Sequence, residues 1–412
     1  MAAIAVRFGQ KAMELQVPLE RLVAPARAAE APTIVDLRLA VAQTLENPLG
    51  FPPLRQALTP DDHVTIALGE DLPGASEILI PVLSVLGESG VRLEHVTILY
   101  PAATSMSTVQ AMKERLPAGF QSVPCEIHDP RDRRKLSYLA STAAGRRIYL
   151  NRTLVDADQV LAMGQFAYHP VLGYAGGLAD LFPGYSDAAT RTEVQGRLVD
   201  TAPSDPARPL WTEAQEVGWL LGFPFLVQVV AGEGDAVCHV LAGAASEVTP
   251  IGHQLLNQRW SLTLPEPPDL VVASVSGGTE SQHWGNIAAA FARAARVVRP
   301  GGKVVVLAEP GNPTGPGLLA LRELQSLYQG VSYARKEHLQ DALTVEQLAR
   351  ASQFASLYLF SSLSASTVEE LYLTPLATPG EVDKLVDSSS KVLIIVDAHR
   401  THAVVQKEKL KP

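Results

Sequence analysis

The amino-acid sequence predicts an α/β fold in two domains, each a parallel-type sheet covered by helices, and three observations carry that expectation. Short runs rich in Val, Ile and Leu alternate with longer amphipathic stretches, the pattern of strands buried on both faces by crossover helices. The 412 residues allow two or three domains, and a composition of 47% hydrophobic and 19% charged residues excludes disordered and fibrous classes. Proline density rises sharply at Leu264-Pro265-Glu266-Pro267-Pro268, which stiffens the chain and blocks helix and central strand alike. A boundary is therefore expected there, giving domains 1–265 and 266–412.

In the first domain, residues 63–68 read as a buried strand, 76–90 as a helix and 96–99 as a second strand, a β-α-β unit. A further strand at 159–163 runs into the segment 164–184, rich in glycine and aromatics. In the second domain, 269–275 reads as a strand and 287–298 as a helix rich in Ala and Arg. A turn at 299–302 leads to a strand at 303–308. The alternation continues with a helix at 344–352 and strands at 357–360 and 392–396. Loops at strand ends are where such proteins place their chemistry.

Net charge is −9, from 34 Lys plus Arg against 43 Asp plus Glu, which argues against a broad basic surface for nucleic acid. Lysines are scarce, 10 against 24 arginines, and none lies between Lys135 and Lys303. The two cysteines, Cys125 and Cys238, lie far apart and form no disulfide framework or Cys-x-x-Cys motif, which suits a reducing, cytoplasmic setting. No export signal and no 18-residue apolar span is read, so no membrane partner is expected.

The densest functional candidate is Phe166 to Gly177, which includes His169, Tyr174, Gly176 and Gly177. Glycines there let backbone approach a ligand and expose N–H groups, and His169 supplies a base titrating near neutrality. The plain alternative is a tight turn whose glycines serve only a positive φ. A second dense loop, Gly277-Gly278-Thr279-Glu280-Ser281-Gln282-His283-Trp284, follows the strand at 269–275; it is either ligand-contacting or a helix-capping surface loop.

From Val6 to about Arg197 the chain resembles the nickel-pincer lactate racemase (LarA-like) family, with a weaker likeness to about Gln325. The likeness is carried by Val6-Arg7-Phe8-Gly9, Glu46 to Leu54, His128-Asp129-Pro130-Arg131-Asp132, Asn151-Arg152, His169 through Gly177, and Pro183-Gly184. The resemblance implies two α/β domains with an interdomain cleft and inversion at C2 of a 2-hydroxy acid. It also implies a lysine-tethered nickel-pincer cofactor that takes hydride while one of two histidines removes the hydroxyl proton. At the matching positions this chain has Ala179 for the tether lysine, Gln195 for the nickel histidine and Ala103-Thr104-Ser105-Met106 where the first catalytic histidine stands. It has Leu72 for a carboxylate-binding arginine, and only His169 is kept. Losing general acid–base help alone costs roughly 10²–10⁴ in rate.

The resulting expectation is a lactate racemase-like protein of the 2-hydroxy-acid racemase/epimerase class with its nickel-pincer chemistry lost or altered. The alternative is a non-catalytic or regulatory protein binding a small organic acid on the same fold. His169 and His283 are the expected catalytic pair, facing each other across the cleft. Tyr174, Gly176, Gly177, Gln282 and Trp284 are expected to line a cofactor or ligand, with no metal ligand assigned; the cofactor and the oligomeric state are left unassigned. His128 reads as part of a structural Asp-Pro turn, and His399 and His402 as a solvated tail. Arg299-Pro300-Gly301-Gly302-Lys303 resembles a methyltransferase turn but lacks the earlier Gly-rich loop.

Overall fold

The computed structural model describes residues 2–24, 32–143, 145–194, 198–199, 201–205, 208 and 210–406. The chain divides into two units, one of residues 31–232 and 236–256, the other of 1–30, 233–235 and 257–412. The change of unit falls inside the helix Ala245–Trp260 rather than at the proline cluster, and residues 1–30 join the C-terminal unit, unlike the expected division at 265. The reason is packing: the antiparallel hairpin Ala2–Phe8 with Lys11–Val17 puts Val6, Phe8, Leu15 and Val17 into one core with Leu270, Val272 and Val305. Linear position cannot reveal which sheet covers a terminal hairpin.

The 31–256 unit is built on a seven-stranded sheet. Its main path runs Val237–Ala244, Phe225–Ala231, Gln159–His169, Val64–Leu68, Val96–Tyr100 and Cys125–Ile127, with Gly173–Ala175 paired to Gln159–His169. The pairs along the path are parallel except the first. Phe225, Leu161, Ile66 and Ile98 stand side by side in register. They share a core with Ile78, Val82 and Leu86 of the helix Ala75–Glu88. The opposite face carries small residues along the middle strands, which decides where the site lies.

The 257–412 unit holds a five-stranded parallel sheet in the order Thr374–Leu376, Ala355–Phe360, Gly302–Leu307, Leu270–Ser274 and Val392–Ile395. Helices Trp284–Ala295 and Ala342–Phe354 share its largest core, and the N-terminal hairpin and helix Pro379–Asp387 bury apolar side chains in the core holding Leu270, Val272 and Val305. The strand order reverses between Leu270–Ser274 and Val392–Ile395, the switch point at whose carboxyl side α/β sheets form crevices. The expected strands are all present. Among the described residues no helix is long and apolar enough to cross a membrane.

Candidate functional site

Side chains alternate along a strand, so Ala67 and Gly69, Ala162 and Gly164, and Leu226 and Gln228 share the face opposite the Ile66 row. Small residues there leave room for the segment that follows Gly173–Ala175. The four-residue helix Leu178–Leu181 puts the Asp180 carboxyl into that room. A Cβ at Gly164 would lie 1.9 Å from Asp180 Oδ2, and one at Gly69 would lie 3.1 Å from the same carboxyl. Gln228, in register with Gly164, donates from Nε2 to the Ala162 carbonyl (3.1 Å) and to Asp180 Oδ2 (3.4 Å). Its buried Oε1 has no hydrogen-bond partner.

Burial pushes the Asp180 carboxyl up to about 7, with Glu70 adding like-charge repulsion and hydrogen bonds from Gln228 and the Gly176 N–H opposing it. The residue as a whole keeps some surface, but its carboxyl is the enclosed part, lying against two glycines and Gln228. Tyr185 closes the floor: its hydroxyl is shared between the carbonyls of Leu68 (2.5 Å) and Leu99 (2.8 Å) at neighbouring strand ends, and burial drives its pKa well above the usual phenol value. Beside it, Arg191 of the helix Ala188–Val194 donates from Nη1 to the Gly184 carbonyl, and its Nη2 lies 3.7 Å from Glu70 Oε1.

His169 ends the long strand Gln159–His169 rather than sitting in a loop. Its Nδ1 accepts the backbone N–H groups of Val171 (3.1 Å) and Leu172 (3.0 Å). Two donors on one nitrogen fix the tautomer of the neutral ring with its proton on Nε2. Gly176, at φ +93°, lies so close to that strand that a Cβ would meet the Gln165 carbonyl oxygen at 2.5 Å, and Gly177 has φ +63°. Their glycine identity therefore has a local backbone cause. Tyr174 stacks on His253 at 3.9 Å between centroids, and His253 also meets Phe166 edge-on and Trp211 at a tilt. Burial lowers His253 to about 4, keeping it neutral.

In the 257–412 unit, Gln282 is buried and ties two strand-end loops: Nε2 donates to the Val275 carbonyl (3.0 Å) and Oε1 accepts the Glu309 N–H (2.8 Å). Trp284 donates from Nε1 to the Gly311 carbonyl (3.1 Å). Exposed His283 caps the helix Trp284–Ala295, its Nδ1 accepting the Asn286 N–H at 3.4 Å. At the switch point the fully buried Asp397, itself at φ +52°, accepts the N–H groups of Gly234 (2.8 Å) and Ser276 (2.7 Å) and the Ser276 hydroxyl.

The expectation of a solvated tail at His399 and His402 is corrected. His399 is only 6% exposed with neither ring nitrogen hydrogen-bonded, and His402 opens a strand paired with Ser261–Leu264. The short helical turn Ala398–Arg400 packs against the helix Trp284–Ala295, a tertiary contact that no local pattern announces. Burial, then the positive charges of Arg400 and Arg293, push His399 well below the usual histidine value. His128 is buried with Nε2 2.9 Å from the Ser186 carbonyl.

Tyr174, Gly176, Gly177 and His169 thus gather at the end of one strand, while Gln282, His283 and Trp284 form one loop of the other unit. Asp180, Gln228, Arg191 and His253 were not singled out from sequence; only the glycines at 69 and 164 hinted at a close approach. At the positions matched to the resembled family, Ala179 offers a methyl and no amine, and Leu72 packs against the apolar core. Ser105 caps the helix Met106–Arg115 through Thr108 N–H (3.1 Å). Gln195 lies outside the described residues. Among the described residues no group of three His, Cys, Asp or Glu side chains is placed to hold a metal ion. Among the described residues, the positions matched to the tether lysine and the first catalytic histidine of the resembled family carry no amine and no imidazole.

The lactate racemase N-terminal domain family matches residues 8–198. A lactate racemase of Thermoanaerobacterium thermosaccharolyticum is 21% identical, with 96% of this chain and 98% of that protein covered. The structure of the lactate racemase apoprotein from the same organism superposes with a TM-score of 0.78 at 18% identity, covering 98% of this chain and 100% of that one. A protein of Thermotoga maritima follows with a TM-score of 0.64 at 14% identity, covering 92% and 100%.

Proposed function

We propose that this chain is a lactate racemase-like protein that binds a short organic acid at the strand ends of its 31–256 unit and does not run nickel-pincer racemisation. The observation that carries this reading is the state of His169. With Nδ1 holding two backbone N–H groups, the neutral ring carries its proton on Nε2 and has no basic nitrogen left for a hydroxyl proton. His283 accepts at Nδ1 in the same way as a helix cap, so the second expected base is also held as an Nε2–H donor. Ala179 in place of an amine and the Asp180 carboxyl packed over Gly164 support the same conclusion.

What these residues can do is orient and neutralise an acid. The Gly176–Gly177 turn lets backbone come close, and Asp180, partly protonated near neutrality, does not repel a carboxylate as a full negative charge would. Purified full-length protein is expected to carry no stoichiometric nickel and to show the intact mass of its sequence. It should gain thermal stability from lactate by simple linkage without interconverting the enantiomers. Stoichiometric nickel with a covalent mass increment, or formation of D- from L-lactate, would overturn the proposal in favour of retained racemase chemistry.

A further inference from the structure

We propose that Arg191 is the cation that takes the ligand's carboxylate in this unit, with Glu70 as the internal acid that is displaced; the inference rests on the organic-acid reading above. The Arg191 side chain is only 16% exposed, yet its carboxylate neighbour Glu70 is 62% exposed and stands 3.7 Å away. That is well beyond the roughly 2.7–2.9 Å of a charge-assisted hydrogen bond. Arg146 shows what a settled guanidinium looks like in the same unit, holding Glu193 at 2.7 Å and Glu213 at 2.8 Å. A largely covered guanidinium with one loose, solvent-facing partner is an under-used bidentate site, because a planar fork prefers a planar carboxylate.

Position supports the same role. Glu70 directly follows Gly69 at the carboxyl end of the strand Val64–Leu68, and the Arg191 Nη1 is fixed on the Gly184 carbonyl, so one arm is anchored and Nη2 faces the strand ends. Glu70 lies in an exposed loop and can swing into water at little cost. The titratable groups facing this spot are Glu70 and Asp180, Tyr185 whose hydroxyl is committed to two carbonyls, and His128, which burial keeps neutral. An incoming carboxylate therefore replaces the Glu70 charge rather than adding to it.

The experiment is a binding titration of the full-length chain with L-lactate, D-lactate and uncharged lactamide, on the wild type, Arg191→Gln and Glu70→Gln. The wild type is expected to bind at least one lactate enantiomer and not lactamide. Arg191→Gln should weaken lactate about tenfold or more, the scale of one charged hydrogen bond. Glu70→Gln should tighten it several-fold by removing the competitor. Lactate bound equally by wild type and Arg191→Gln overturns this inference and leaves the organic-acid site standing. No lactate binding by the wild type sinks both. If Arg191→Gln fails to fold for want of its Gly184 contact, Glu70→Gln decides: unchanged or weaker affinity there refutes the displacement.

Discussion

Replacing Asp180 by Asn turns the carboxyl over Gly164 into a neutral group of the same shape, and the size of the effect follows from its titration. In the folded chain the group is pushed up to about 7 from an ordinary aspartate near 3.8, chiefly by burial. A raised acid pKa means that folding favours the protonated form, so this residue's contribution to stability is greatest below 3.8 and is lost as pH rises through 7. Integrated between pH 5 and pH 8 at about 1.36 kcal/mol per pH unit of proton linkage, the wild type loses about 2.6 kcal/mol relative to Asp180→Asn. Partial exposure of the residue discounts this to roughly 1–2 kcal/mol. Urea denaturation of both proteins at pH 5, 6, 7 and 8 measures it: the stability of Asp180→Asn minus wild type should climb between pH 5 and 7 and level off towards pH 8. A difference that is flat, or that falls with pH, would show that Asp180 is an ordinary ionised carboxylate and that its environment has been misjudged.

Gly164→Ala sets a methyl 1.9 Å from Asp180 Oδ2 against a strand on either side, so a loss of about 1–3 kcal/mol is expected in the same denaturation assay, eased in the double variant with Asp180→Ala. Asp397→Ala leaves the buried Gly234 and Ser276 N–H groups without their acceptor and should cost about 3 kcal/mol or more, with Asp397→Asn intermediate because Asn tolerates φ +52°. His399→Leu removes two unpaired ring nitrogens. Because the folded histidine is held below its unfolded value, the wild type loses stability as pH falls below about 6.5, and the gain from leucine should be larger at pH 5 than at pH 8 in thermal melts.

The strand and helix pattern was readable because buried parallel strands such as 269–275 must be apolar on both faces and their helices amphipathic on one. The expected helices at 76–90 and 344–352 appear as Ala75–Glu88 and Ala342–Phe354, within a few residues. The site was half readable. Gly176, Gly177 and His169 announce a backbone-rich strand end, but nothing in their types says that His169 spends its Nδ1 on the following turn. Gln282 and Trp284 look like ligand groups because they are polar or aromatic beside glycines. Their polar atoms bond loop carbonyls and an N–H instead, a use fixed by residues 275, 309 and 311, which the local pattern does not show.

By itself the sequence determined the α/β class, the likeness to lactate racemases and the presence of Ala179 and Gln195, because these are properties of residue identity and period. Tertiary structure alone decided that the N-terminal hairpin covers the distant sheet at Leu270 and Val305. It also decided that Asp180 enters the gap over Gly69 and Gly164, and that His399 is sealed against a helix rather than trailing in water. The physical reason is common to all three. Protonation state and donor availability depend on which groups are removed from water together, and that is set by contacts between residues far apart in the chain.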